Sequence, residues 1–318
     1  MRLPTHTNLH GLRMIRRESL IAFLNPSRRD DIVQELVTPK QVARAIDVSE
    51  SSVKRWCDRG IIASVKTAGG HRRIPIAAVI AYLRETRQPL VAPEVLGLPA
   101  TSGQTRWVQD RALDALLESL VAGDADRSRQ ILFDLWLAGK PLPVIFDEVV
   151  APAFARMGQQ WACGELEIYR ERQACEIMTR VLFEFRLGTP PGNPDLLALG
   201  GTIPGDHYVI PTTMVELVLQ GAGWNARSLG NSVPFTSLSR AILENRPRLF
   251  WLSMSHVETP SELLPGVQSL SEALKSVGGA LVIGGNALSP EILSQLPMDH
   301  FCTSMQQLVR FADSLKPA

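Results

Sequence analysis

Hydrophobic positions along the chain change their period twice. Between residues 38 and 60, TPKQVARAIDVSESSVKRWCDRG sets Val42, Ala43 and Ile46 on one face of a short helix. Val53 and Trp56 share one face of a second helix, Glu50 to Asp58, and Asp47-Val48-Ser49 forms the turn between them. Thr38 is placed to cap the first helix. IIASVKTAGGHRRIP then reads as a hairpin turning at Ala68-Gly69-Gly70, and IAAVIAYLRET as a packing helix. From residue 106 to 186 the period is helical throughout. WVQDRALDALLESLVAG, DADRSRQILFDLWLAGK, PLPVIFDEVVAPAFARMGQQWACG and ELEIYRERQACEIMTRVLFEFRLG are amphipathic and closely connected, which predicts a four-helix bundle.

From residue 195 short apolar runs take over: LLALGG, WNARSLG, RLFWLSMS, GALVIGG and a weaker DHFC. Helical stretches begin near Pro211, Thr236, Ser261, Ser289 and Ser304 between and after them. This alternation predicts a flavodoxin-like α/β doubly wound domain with a five-stranded parallel sheet, whose ligands bind at the carboxyl ends of the strands. Pro- and Gly-rich breaks at QPLVAPEVLGLPATSGQT and LGTPPGNPD divide the chain. The expected organisation is an extension over 1–35, a winged helix-turn-helix over 36–87, a linker over 88–105, a bundle over 106–187 and the α/β domain over 195–318.

Composition narrows the function classes. The chain has 318 residues, 45% hydrophobic and 20% charged, as expected of an ordinary globular protein. Its four cysteines, Cys57, Cys163, Cys175 and Cys302, form no C-x-x-C pair, which argues against a zinc site or a disulfide framework and suits a reducing, cytoplasmic setting. The N-terminal residues lack the unbroken apolar core of a signal peptide. No apolar run is long enough to span a bilayer, so no membrane partner is expected. The net charge of +1 hides an asymmetry: residues 1–90 hold 16 Lys and Arg against 8 Asp and Glu, and the remainder holds 17 against 24. A basic head on an acidic body points to nucleic-acid contact by the head alone, and the helix-turn-helix layout of residues 38–60 makes a double-stranded DNA operator the expected partner.

Within the head, Ser51, Ser52, Lys54 and Arg55 face out from the second helix, while Lys66, Thr67, His71, Arg72 and Arg73 lie on the hairpin. Long cations suit phosphate contact, so Lys54, Arg55, Arg72 and Arg73 are the stronger candidates. Trp56 fits a core anchor, and His71 can simply hold the hairpin. TPKQVARAIDVSESSVKRWCDRGII with TAGGHRRIP resembles the MerR-type winged helix domain over about residues 36–86. The resemblance implies that the second helix enters the major groove and that the wing grips phosphate.

The candidate ligand loop is PGDHYVIPTTM, residues 204–214, between an apolar run and a helix. The bundle followed by a flavodoxin-like domain resembles the cobalamin-binding module of methionine synthase. With its head, the chain resembles the cobalamin-dependent light-sensing repressors of carotenoid genes. In the bundle that family carries Trp, nine residues, then Glu-His; here Trp161 and Glu171 match and Arg172 replaces the histidine. The family loop is an acidic residue, any residue, the His that ligates cobalt, two residues and Gly. Asp206 takes the acidic position, Tyr208 the ligand position and Pro211 the Gly position, and His207 falls one residue early. Ser253 and Ser255 resemble the segment lining the buried nucleotide tail, and Gly284 and Gly285 the glycine pair that leaves it room.

Three readings of the body stay open. It has lost cobalamin and serves oligomerisation or protein docking; it binds cobalamin without a His ligand, through tail contacts and Trp161; or it binds another tetrapyrrole such as haem, with His207, His256 or Cys163 as ligands. An enzyme built on Asp206 and His207 is disfavoured, because no nucleophile elbow or phosphate loop accompanies them. The expected whole is a DNA-binding transcriptional regulator, a repressor, acting as a dimer or tetramer on a repeated operator. A protein partner is a further possibility.

Overall fold

A computed structural model describes residues 36–67, 69–98 and 109–317. The extension 1–35, the Ala68 position of the hairpin turn and residues 99–108 of the linker lie outside the described residues.

The head begins with a strand that two residues are too few to announce by period, β1 (Leu36–Val37). Helix α1 (Pro39–Ala45) follows, with a reciprocal cap: the Thr38 hydroxyl accepts from the Gln41 amide at 3.1 Å, and the Gln41 side chain accepts from the Thr38 amide at 2.9 Å. Asp47, at φ 52°, makes the left-handed turn into α2 (Glu50–Asp58). Strands β2 (Val65–Lys66) and β3 (Arg72–Pro75) form the hairpin, and β1 joins β3 antiparallel on its other side, in the order β1-β3-β2. Helix α3 (Ile76–Thr86) closes the unit, its Val79 sharing a core with Val42, Val53 and Ile74, all at 0% exposure. Trp56 is half-buried and stacks at a tilt on Tyr82, centroids 5.1 Å apart.

The first part of the segment read as a linker is packed. Leu90, Leu96 and Leu98 are buried, and the Val91 and Ala92 amides donate to the Ala45 carbonyl at 2.7 and 3.1 Å. Apolar residues without a period here line the end of α1 through one 3-10 turn, Pro93–Leu96.

Helices α4 (Gln109–Ala122) and α5 (Ala125–Leu137) come next, α5 capped by Asp124. A long helical segment then runs through α6 (Leu142–Ile145), a π turn (Phe146–Val150) and α7 (Ala151–Ala162). The π turn ends two residues before Pro152, which has no N–H for an ordinary helical bond. Helix α8 (Ile168–Leu187) leads to the sheet.

The sheet strands are β4 (Asn193–Thr202), β5 (Trp224–Ser228), β6 (Leu249–Ser253), β7 (Ala280–Gly284) and β8 (His300–Cys302). All pair parallel, in the order β5-β4-β6-β7-β8, consistent with a flavodoxin-like α/β fold. The covering helices are α9 (Val209–Gly221), α10 (Phe235–Asn245), α11 (Pro260–Val277), the short α12 (Pro290–Leu293) and α13 (Met305–Ser314). Leu217 of α9 and Ala312 of α13 share a core with Trp251 and with helices α4 to α8. Leu238, Ile242 and Val267, from α10 and α11, pack with Phe250 and Leu252 in a second core.

Polar ties join the helices to the sheet unit. The Asp147 carboxylate, in the π turn, accepts from the Met305 and Gln306 amides at 2.7 and 3.0 Å and so caps α13. Arg186 pairs with the buried Glu216 carboxylate. In the sheet, the Trp251 indole donates to the Thr212 hydroxyl at 3.0 Å, and Gly200 makes room for the ring. A Cβ at Gly200 would lie 2.2 Å from the Trp251 ring and 2.3 Å from its carbonyl. Gly200→Ala is therefore expected to destabilise the protein by about 2 kcal/mol or more through overpacking. Gly221→Ala, with nothing within 4 Å of the new atom, should be close to neutral. Urea denaturation of the two variants against the parent checks the contrast.

Candidate functional site

On the head, Ser49 starts α2. Its hydroxyl accepts from the Ser52 amide at 3.1 Å and is bonded to the Ser51 and Ser52 hydroxyls at 2.8 and 2.9 Å. Ser51, Lys54 and Arg55 are exposed and Ser52 is half-buried. Lys54 pairs with Glu50 one turn back at 2.8 Å, whereas Arg55 has no ion-pair partner among the described residues. In the hairpin, Val65 pairs with Arg73 and Lys66 with Arg72. The Thr67 amide donates to the His71 carbonyl at 2.9 Å, and Gly70 turns the chain at φ 76°. Lys66, Thr67 and His71 are exposed and Arg73 is half-buried.

Arg72 differs from its neighbours. One arm of its guanidinium donates to the Lys54 carbonyl at 3.0 Å and the other pairs with Asp58, so the hairpin is tied to α2. Lys40 and Arg44 on α1, and Arg59 just after α2, are also exposed cations. They escaped the reading from sequence, which centred on the second helix and the hairpin, although the first helix of such a motif crosses the DNA backbone.

At the carboxyl ends of the strands, Asp206 is fully buried. One carboxylate oxygen accepts from the Tyr208 amide at 3.0 Å. The other accepts from the Ser255 and His256 amides at 2.7 and 3.3 Å. Its carbonyl accepts from the Thr202 hydroxyl and from the Ser232 amide, at 2.5 and 3.0 Å. The loops after β4, β5 and β6 therefore meet at one residue. The hydrogen bonds of the Asp206 carboxylate go to backbone amides rather than to the neighbouring His207 imidazole. His207 and Tyr208 are exposed, Tyr208 by 45%.

Ser253 is buried at the end of β6 and Ser255 is half-buried in the following loop. Gly284 ends β7 and Gly285 follows it. A Cβ on Gly285, at φ 119°, would lie 2.1 Å from the Met254 carbonyl, and one on Gly284 3.1 Å from the Cys302 carbonyl. The room these glycines leave is thus taken by backbone of the protein itself. Over Gly205 the side chain of Glu258 stands within 2.3 Å of a would-be Cβ. A shallow cleft beside them is lined by Ile203, Phe235, Val257, Thr259, Glu262 and Leu263.

On the helical part, Trp161 lies near the end of α7 and is 52% exposed. Glu171 and Arg172 lie near the start of α8, with the Arg172 Nε 3.5 Å from the Glu171 carboxylate. Glu171 also accepts from the Cys175 thiol at 3.3 Å; burial, and then the neighbouring Glu171, push that thiol up to about 12. Cys163 and His256 are exposed, His256 beside the Asp206 knot. Among the described residues, no group of three His, Cys, Asp or Glu side chains is gathered to hold a metal ion. No described helix is long and apolar enough to cross a membrane.

Residues 36–87 match a helix-turn-helix domain family, and residues 112–184 match the B12 binding domain family. The chain joins a helix-turn-helix region to a cobalamin-binding-like module. The HTH-type transcriptional repressor CarH of Myxococcus xanthus is 27% identical over 172 residues, which are 52% of this chain and 57% of that repressor. The match thus spans little more than half the length of that relative. The monomethylamine corrinoid protein of Methanosarcina barkeri superposes over 66% of this chain and 100% of its own, with a TM-score of 0.53 and 14% identity, a likeness of fold. A cobalamin-binding protein from Desulfitobacterium hafniense, 18% identical over 64% of this chain and 98% of its own, has a TM-score of 0.36, too low to carry an argument.

Asp206→Ala would strand three loop amides that now share one buried carboxylate. The expected loss is about 3 kcal/mol of stability, with a smaller loss for Asp206→Asn, whose amide keeps one acceptor oxygen. Chemical denaturation of both variants measures it.

Proposed function

We propose that this protein is a sequence-specific DNA-binding transcriptional regulator, a repressor, whose body no longer uses a histidine-ligated cobalamin and instead assembles copies or docks a protein partner. The winged helix-turn-helix spans residues 36–87, a four-helix bundle 106–187 and the α/β domain 195–318. A second helix offering Ser51, Lys54 and Arg55 beside a hairpin offering Lys66, Thr67 and His71 is the observation that carries the DNA-binding half. A helix of 9 residues with an exposed outer face can lie in a major groove, and Lys66 of the hairpin then reaches phosphate. One such head has limited affinity, so a dimer or tetramer on a repeated site follows.

The residues of the sheet loops do not fit cobalamin as the related family holds it. The ligand position is Tyr208, an exposed phenol in place of the imidazole that suits a transition metal. Gly285 opens onto the Met254 carbonyl and Gly205 is covered by Glu258, so neither glycine leaves a cradle for a nucleotide tail. One observation favours a second reading, a corrinoid held without histidine: Trp161, Ile168 and Tyr169 are 52, 53 and 56% exposed, in or beside the segment that matches the B12 binding domain.

The DNA-binding half is tested by selecting binding sites from a random duplex library with the full chain. Enrichment of one repeated or palindromic site is expected, and Lys66→Ala should lower the salt dependence of binding by about one counterion. Sequence-blind binding, lost uniformly as salt rises, would refute the regulator.

A further inference from the structure

We infer that Arg72 and Asp58 form a latch that fixes the hairpin wing against α2, so that Arg72 positions the wing rather than neutralising a phosphate. The inference rests on the DNA-binding reading above and deepens it.

The wing is weakly held by its own backbone. Its two strands share two residue pairs, Val65 with Arg73 and Lys66 with Arg72, and both β2 residues are exposed. A ribbon that short, with no buried face on one strand, is marginal alone. Strand β1 supports the other half of β3, at Ile74 and Pro75, away from the tip. Arg72 supplies the missing support. Its side chain is 17% exposed, against 62% for Asp58, and its fork is spent on the Lys54 carbonyl and the Asp58 carboxylate. An exposed ion pair alone contributes little, but a largely buried guanidinium bonded at two points in fixed geometry holds direction as well as distance.

The latch also accounts for Asp58. A carboxylate in the last residue of a helix faces the negative end of the helix dipole, an unfavourable place unless a cation stands beside it. Arg72 is that cation. The same geometry leaves Lys66 exposed on the paired strand, free for phosphate. A lysine at position 72 could reach one acceptor but not span both.

The two roles for Arg72 predict opposite signs at Asp58. If Arg72 were a phosphate contact, removing Asp58 would free it and remove a negative charge, and DNA binding would hold or tighten. If Arg72 is a latch, Asp58→Ala and Arg72→Ala act alike. The test uses the full chain and its selected operator, measuring affinity across a salt series together with amide hydrogen exchange of residues 65–73 without DNA. Both variants should lose about tenfold in affinity, keep the parent's salt slope and speed exchange in the wing. Arg72→Lys should not restore either. An Asp58→Ala protein that binds as well as the parent, or an Arg72→Ala protein whose salt slope falls by about one with unchanged exchange, would overturn the latch. Should the parent show no operator preference, the regulator reading fails, and the exchange comparison still decides the latch.

Discussion

The Asp206 carboxylate is the fixed point of the sheet's upper edge. Buried to 0% exposure, it gathers the amides of Tyr208, Ser255 and His256, while its own carbonyl holds Thr202 and Ser232. Charged acceptors shared among several backbone donors are among the stronger hydrogen-bonded groups, and costly to remove. The knot sets the start of α9, the path from β6 toward α11 and the loop beyond β5. It also sets what the site can be. With the loops drawn together, Glu258 covers Gly205 and the Met254 carbonyl fills the space beside Gly285.

The rest of the body is arranged around that closed edge. Trp251, at 2% exposure, is centred in the sheet by Gly200 and Thr212, and Asp147 and Arg186 carry polar ties from the helical part to α13 and α9. The head meets the helices through α3: Arg84 lies 5.5 Å over the Trp136 ring, and Gly188 leaves room for Trp136 and Ile80. Burial pulls the Arg84 guanidinium below its usual range, and its Nε has no hydrogen-bond partner, so this junction is held by packing and cation–π attraction more than by hydrogen bonds. Under the proposed function, such a body would serve to place the heads, and the head's own geometry would read the operator.

Much of this was legible in the residues. Thr38, Ser49, Asp124 and Ser304 are capping residues that announce their helices, and the switch from a helical period to apolar runs near residue 195 marks the sheet. Other features were not. The two-residue β1 is too short to have a period, and residues 88–98 pack because the end of α1 offers a surface, which no local pattern encodes. The π turn answers a proline ring and a tertiary cap together. At the candidate site, Asp206, Tyr208 and Gly285 follow apolar runs that are strands in the structure, but the sequence did not give their surroundings. That Asp206 is spent on backbone amides, that Arg72 turns toward Asp58, and that Gly285 opens onto backbone are facts of residues distant along the chain.

The most direct test of a body that works without histidine-ligated cobalamin is the absorbance spectrum of the purified full chain after dark incubation with adenosylcobalamin and removal of free ligand by gel filtration. A protein fraction without corrin absorbance is the predicted result, with an oligomeric state unchanged by light. Corrin absorbance that travels with the protein and bleaches on illumination would contradict it, and would make the exposed Trp161 face a ligand surface after all.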